Sequence, residues 1–387
     1  MAPKSLLYTL FSSLTVALAA SVPDTGYDVI VVGGGPAGLS ALSGLSRVRR
    51  TAVMFDSGEY RNAPTRNMHD VIGNDGTPPA EFRGLAREQI SRYDTASFVD
   101  KKIVSITPLT DDNATAYFEA TDTDGTVYSA RKVVLATGLQ DLLPATPGLE
   151  EIWGKGAYWC PWCDGYEHRD QPIGIVGSLV DAVGSMLEIH TLNTDIVALA
   201  NGTQTPEVEA QLTADKPDWQ AQLAAWNVRI DNRTIESFRR LQDGEEHQDD
   251  QGRQFDIFEV RFTDGSTLVR NAFITNFPTA QRSTLPAELG LQMVDGKIDT
   301  SSFSGMRTSL PGVFAIGDAN SDGSTNVPHA MFSGKRAAVY MHVEMAREES
   351  AAAISKRNLP SRRAMEKEAE RLIGRDLEAL WEQVQGQ

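Results

Sequence analysis

The sequence predicts an α/β protein whose parallel sheets are built on two Rossmann-like units. Three observations predict it. A continuous apolar run, Tyr27-Asp28-Val29-Ile30-Val31-Val32, leads directly into Gly33-x-Gly35-x-x-Gly38 and a helical stretch. That is the pattern of a strand buried on both faces opening a βαβ unit. The pattern restarts at Pro172-Ile173-Gly174-Ile175-Val176-Gly177. The chain of 387 residues is 41% hydrophobic and 23% charged, an ordinary globular composition and enough chain for two domains.

In order, 39–50 reads as the first helix and 51–55 as the second strand, ending at Asp56. Residues 58–79, rich in Asn, Pro and Gly, read as loop, and 80–92 as helix. Short strands are expected within 102–130, with a turn at Asp124-Gly125. A buried strand over 133–136 then closes on Thr137-Gly138. In the second unit, 173–177 is strand and turn, 181–192 helix and 195–200 strand. Residues 255–275 return to strand, and 312–316 forms the last strand, ending at Gly317-Asp318. A helix is expected from Pro328 to about Glu348, then a linker over 349–362. The remaining tail places Ile373, Leu377, Leu380, Trp381 and Val384 on one helical face.

The N-terminus has the three parts of a secretory signal. Met1-Ala2-Pro3-Lys4 is a short basic region, Leu6 to Ala20 an apolar one, and Ala17-Leu18-Ala19 a small-x-small cleavage pattern. A signal peptide over 1–20 and a secreted protein are therefore expected. The apolar stretch is short for a membrane span. Asn113, Asn201 and Asn232 head glycosylation sequons, which are compatible with secretion. The net charge of -16, from 52 acidic and 36 basic residues, argues against nucleic acid or an anionic membrane as partner.

Each glycine of the first motif has a task. Gly33 allows the tight turn, Gly35 lets the backbone approach a pyrophosphate at the helix N-terminus, and Gly38 permits close helix–sheet packing. Asp56, ending the next strand, stands where an acid binds ribose hydroxyls. Gly317-Asp318, after the last strand, is a candidate second nucleotide contact.

The chain has two cysteines, and both lie in Cys160-Pro161-Trp162-Cys163-Asp164. Two intervening residues let the sulfurs meet as a reducible disulfide. A metal would need further ligands, and His168 alone leaves the shell incomplete. A structural disulfide is the other reading, but so short a loop restrains the unfolded chain least. Tyr158, Trp159, Trp162 and Tyr166 flank the pair, either as a hydrophobic site or as packing between domains.

Gly33-x-Gly35-x-x-Gly38, Ala136-Thr137-Gly138, Cys160-x-x-Cys163-Asp164-Gly165 and Gly317-Asp318 stand in the order seen in the low-molecular-weight thioredoxin reductases. The sequence resembles that family over roughly 27–345. Asp56-Ser57-Gly58-x-Tyr60-Arg61-Asn62, Trp159 to Glu167 and Pro328-His329-Ala330-Met331 are similar to a fungal and bacterial branch, the dithiol oxidases of gliotoxin and holomycin type. The resemblance implies two Rossmann-like, three-layer (ββα) dinucleotide-binding domains, the second inserted into the first, and a homodimer. It implies an FAD-binding domain over 24–141 and 276–345, an NAD(P)-binding-like domain with the cysteine pair over 142–275, and a helical tail over 346–387. It implies FAD held by Gly33, Gly35, Pro36, Ala37, Gly38, Asp56, Arg61, Asn62, Thr137, Gly138, Gly317, Asp318, His329 and Ala330, with no metal.

The second unit separates oxidase from reductase. The reductases bind NADPH there through a full glycine motif and an arginine cluster. Here the stretch is Gly177-Ser178-Leu179-Val180-Asp181-Ala182, and Leu179 at the middle glycine position is expected to block the backbone from a pyrophosphate. The 201–206 segment offers no Arg or Lys for a 2′-phosphate, and Asp181 adds repulsion. The expectation is an FAD-dependent thiol oxidase with an NADPH-dependent disulfide reductase as its rival. A small-molecule dithiol or protein thiol would attack Cys160, Cys163 would pass electrons to FAD, and O2 would leave as hydrogen peroxide. Asp164 and His329 are the candidate bases, ahead of His168 and His69.

Overall fold

The structure is a computed structural model and describes residues 21–112, 115–323 and 325–358. The expected signal peptide, the sequon at Asn113 and the tail stripe from Ile373 lie outside the described residues.

The chain begins with β1 (Tyr27–Val32), α1 (Pro36–Ser46), β2 (Ala52–Phe55), α2 (Pro79–Ile90), β3 (Ala96–Val99), β4 (Ile103–Thr110), β5 (Ala116–Asp122) and β6 (Val127–Leu135). Next come β7 (Leu139–Asp141), α3 (Leu149–Ile152), β8 (Ala157–Tyr158), β9 (Ile173–Val176), α4 (Leu179–Ile189) and β10 (Ile196–Leu199). Then follow α5 (Pro206–Asp215), α6 (Trp219–Ala225), β11 (Arg229–Asp231), β12 (Ile235–Gln242), β13 (Ile257–Phe262), β14 (Thr267–Arg270) and β15 (Ala272–Thr275). The last elements are β16 (Thr279–Gln281), α7 (Leu285–Glu288), β17 (Met293–Val294), β18 (Lys297–Ile298), β19 (Val313–Ala315) and α8 (Val327–Asn358).

The first sheet orders β3-β2-β1-β6-β5-β4, with β19 also on β6. Strands β3, β2, β1, β6 and β19 run parallel, while β4 and β5 are antiparallel. The apolar run of β1 is continuous because alternate residues serve two cores. Val29 and Val31 pack with α1 and α8 on one face. Ile30 and Val32 pack with Ile103, Ile106 and Phe118 of β4 and β5 on the other. Helix, parallel sheet and antiparallel sheet make the three layers. The helices approach closely through small residues: a Cβ on Gly334 would lie 2.2 Å from the Ala37 carbonyl oxygen, and one on Gly44 would lie 2.8 Å from Ala338 Cβ.

The second sheet, β11-β10-β9-β15-β8, is entirely parallel. A three-stranded antiparallel sheet, β12-β13-β14, supplies its outer layer. The chain leaves the first sheet through β7 and returns through β16, and these two strands pair antiparallel. The second Rossmann-like unit is thus inserted into the first, as the family resemblance implies.

Helix α8 departs from expectation. It runs through 349–358, which reads as the start of a linker. Where a linker is expected to begin, the helix is held to β6 by long-range ion pairs: Arg131 Nη2 holds Glu348 at 2.8 Å and Lys132 Nζ holds Glu344 at 2.8 Å. Glu349 pairs with Arg50 and Arg131. These acids fix the helix at the point where the linker is expected to start.

Candidate active site

A groove runs past the C-terminal ends of β1, β2, β6 and β19. Ligands of open parallel sheets bind at such strand ends. Gly33 makes the turn with φ at +119°, and a Cβ there would lie 2.2 Å from the Ala136 carbonyl oxygen. A Cβ on Gly38 would lie 1.9 Å from the Gly33 oxygen, whereas nothing lies within 4 Å of one on Gly35. Gly35 therefore opens onto free space. No side chain caps α1, and its first turn carries no acid. Its free N–H groups and dipole favour a phosphate.

The opposite wall carries Arg61, Asn62, Thr137, Gly138, Gly317 and Asp318. Arg61 makes a bidentate pair with Asp141, at 2.7 and 2.9 Å, and its Nη1 donates to Asp318 Oδ2 at 3.1 Å. Its guanidinium also lies over the Trp159 ring, 5.2 Å from the centroid. Burial pushes the Asp318 carboxyl up, against the Arg61 charge. Thr137 Oγ1 is buried without a hydrogen-bond partner. An orphaned hydroxyl, an open glycine and an uncapped helix in one groove fit an elongated, phosphate-bearing cofactor.

Asp56 lies behind this wall. A Cβ on Gly34 would lie 2.0 Å from Asp56 Oδ2. Asp56 Oδ1 accepts the Gly58 N–H at 2.9 Å, and Oδ2 accepts from Tyr60 Oη at 2.7 Å and Arg87 Nη1 at 3.0 Å. The carboxylate is drawn inward by its own donors, and Tyr60 takes its place on the lining.

Cys160 and Cys163 form a disulfide. Cys160 caps a π-helical turn over Pro161–Gly165, and the N–H groups of Cys163 and Asp164 both donate to its carbonyl, at 3.1 and 3.2 Å. Trp159, next to Cys160, lines the groove, so the disulfide and the groove are chain neighbours. The flanking aromatics divide: Tyr158 is fully buried, while Trp162 and Tyr166 are 64% and 59% exposed.

Burial pushes the Asp164 carboxyl up to about 7. His168 is anchored behind it, with Nδ1 at 3.0 Å from the Asp164 carbonyl oxygen and Nε2 at 3.3 Å from Asp256 Oδ2. Asp256 is fully buried. Against its burial, hydrogen bonds from His168, Arg66 and the Gly244 N–H hold it at about 2. Arg66 reaches Asp256 from the 58–79 loop at 2.9 and 3.0 Å and donates to Gln254 at 2.7 Å. The ion pair fastens the inserted unit, with its disulfide turn, to the first.

His329 is not itself on the groove lining, although its neighbours are. Its Nε2 lies 2.7 Å from Asp322 Oδ2, and Asn326 caps its N–H. Asn326, Val327 and Ala330 line the groove around it.

The inserted unit has its own strand-to-helix turn, and there the helix N-terminus is closed. Ser178 Oγ accepts the Asp181 N–H at 3.2 Å and donates to the Asp181 carboxylate at 2.6 Å. Thr203 Oγ1 accepts the Leu179 N–H at 3.0 Å. The Leu179 side chain is fully buried in the core. This corrects the expected obstruction: the side chain does not cover the phosphate position, and two of the N–H donors there, those of Leu179 and Asp181, are taken by Thr203 and Ser178 instead.

Residues 27–334 match the pyridine nucleotide-disulphide oxidoreductase family. The chain belongs to this family. A probable thioredoxin reductase of Arthroderma benhamiae is 51% identical over 97% of each chain. The thioredoxin reductase tcpT of Claviceps purpurea is 34% identical, covering 79% of this chain and 90% of its own. Among solved structures, HlmI aligns with a TM-score of 0.73 at 30% identity, over 85% of this chain and 95% of its own. A putative thioredoxin reductase TrxB from Bacillus anthracis aligns with a TM-score of 0.70 at 26% identity, over 84% and 99%. The protein is a thioredoxin reductase-like disulfide oxidoreductase, and the thioredoxin reductase-like members of the family are flavoproteins.

Sequence reasoning missed Arg66, Asp141, Asp256 and the Arg87–Asp56 pair. Each acts through a residue far away in the chain, so no local pattern marks it.

Proposed function

We propose that the protein is an FAD-dependent thiol oxidase that closes a disulfide in a dithiol substrate, a small molecule or a protein, and passes the electrons to O2. The carrying observation is the contrast between two helix N-termini. The one at Gly35 is free, and the one at Leu179 is already occupied by Ser178 and Thr203. A second nucleotide would have to break both hydrogen bonds and approach the Asp181 carboxylate. Sulfur is then the remaining electron entry.

Gly33, Gly35, Pro36, Ala37 and Gly38 would hold the pyrophosphate, and Arg61, Asn62, Thr137, Gly138, Asp318 and Ala330 the rest of the cofactor. FAD, when bound, supplies two-electron acceptance from a dithiol and reaction with dioxygen. The chain's own residues do the sulfur chemistry. A substrate thiolate attacks Cys160, breaking the Cys160–Cys163 bond and leaving Cys163 with the electron pair. The second substrate thiol displaces Cys160, and the substrate departs as a disulfide. Overall a dithiol and O2 give a disulfide and hydrogen peroxide. Asp164 accepts the thiol proton, since the thiolate is the nucleophile. Secretion through residues 1–20 and a homodimer belong to the same proposal.

The test is oxygen uptake with a panel of dithiols and peroxide measured in parallel. Stoichiometric peroxide supports the oxidase, and no uptake with any dithiol overturns it. The reductase reading is favoured by the names of the relatives and predicts rapid anaerobic flavin bleaching by NADPH.

A further inference from the structure

Behind the disulfide turn lies a small, partly open pocket, lined by Arg66, His69, Asp164, Glu167, His168 and Gln254 among others. It has room for about one water. Two of its lining residues carry buried polar atoms without a hydrogen-bond partner, Glu167 Oε2 and Arg66 Nε. Buried polar groups of native proteins are satisfied by protein or ordered water; Arg66 Nε has Glu245 Oε2 at 3.7 Å, and Glu167 Oε2 is the acceptor that a water here would satisfy. From Glu167 the line continues outward. Glu167 Oε1 lies 3.6 Å from His69 Nδ1, which lies 3.6 Å from Asp75 Oδ2. Along that line side-chain exposure rises from 13% at Glu167 to 16% at His69 and 68% at Asp75.

We propose that Glu167 and His69, with a water in this pocket, form a proton path between Asp164 and the solvent at Asp75. The inference rests on the thiol oxidase reading. Attack by a substrate thiol releases a proton that Asp164 takes up. Re-forming the Cys160–Cys163 bond releases an electron pair and two protons, and a flavin acceptor takes the pair with one of them. The other proton must leave a turn whose base is desolvated. The groups facing this path are Tyr158, His168 and Arg66 around Asp164, Asp256 beyond His168, and Asp75 beside His69. Arg66 and Arg240 already neutralise Asp256, whereas the charged partner of Glu167 is His69 on the outward line.

The experiment uses the flavin-loaded protein and dithiothreitol under anaerobic conditions, in H2O and D2O, across pH. It reads both flavin bleaching and the quenched alkylation of Cys160 and Cys163. Glu167→Gln is expected to lower both rates by about tenfold or more, within the range of general acid–base contributions, and to enlarge the solvent isotope effect. His69→Gln should do the same to a smaller degree, and Glu167→Asp should restore most of the rate. Retained flavin identifies folded variants. Wild-type rates, pH profile and isotope effect in both Glu167→Gln and His69→Gln would overturn the path. Wild-type protein that dithiothreitol fails to reduce would overturn the oxidase reading instead.

Discussion

Thr203 Oγ1 accepts the Leu179 N–H at 3.0 Å, and this bond closes the helix end where a second nucleotide would rest its phosphates. Thr203→Val leaves that N–H without a partner. The expected cost is about 1 kcal/mol of stability, the usual worth of such a bond, read by denaturant unfolding. The variant should still fail to bind NADPH, because Asp181 remains and 201–206 carries no cation. NADPH binding by Thr203→Val would show that the single hydrogen bond is the barrier.

Asp164 gives the reaction its pH dependence. Its carboxyl is raised from the ordinary range to about 7 by burial. A base works only when deprotonated, so anaerobic flavin reduction by a dithiol should rise with pH through about 7. Asp164→Asn should remove that rise and lower the plateau by roughly a hundredfold or more. Stopped-flow rates across pH check it. An unchanged profile assigns the base elsewhere, with His329 next in line.

The Arg66–Asp256 pair ties the disulfide turn to the first unit. Breaking a buried pair from one side costs about 3–5 kcal/mol, and Arg66→Met should lose stability of that order. The acid limb follows from Asp256, whose folded value is about 2 against an ordinary 3.8. A depressed acid stabilises above its unfolded value and loses that contribution as pH falls through its folded one. The loss should therefore run from about pH 4 to about pH 2 and amount to about 2 kcal/mol. Urea unfolding against pH, compared with Arg66→Met, measures both.

The α1–α8 contact sets the floor of the groove. A Cβ at Gly334 would lie 2.2 Å from the Ala37 backbone oxygen, and backbone cannot step aside as a side chain can. Gly334→Ala should cost about 1–3 kcal/mol through overpacking and weaken flavin retention, since Ala37 belongs to the turn that faces the groove. Thermal release of flavin fluorescence reports the change.

The first strand and glycine turn were legible because burial on both faces leaves an unbroken apolar run that no amphipathic element shares. The cysteine pair was legible because two thiols at that spacing have few other uses. Leu179 shows the limit. Its position in the motif is a matter of sequence, but whether its side chain faces phosphate or core depends on how α4 docks, and the residue that closes the site is Thr203. Asp56 shows it too: Arg87 and Tyr60 pull the carboxylate inward, and only the folded loop brings them there. The anchoring of α8 depends on Arg50, Arg131 and Lys132, which lie at least 200 positions earlier than the glutamates they hold.

In the proposed reaction, electrons enter through Cys160–Cys163 and not through a nicotinamide. The most direct measurement is anaerobic mixing of the flavin-loaded protein with NADPH in one syringe and a dithiol in another, following the flavin band. The dithiol should bleach the flavin, an effect abolished in Cys160→Ser and Cys163→Ser, and NADPH should not. Rapid bleaching by NADPH would contradict it.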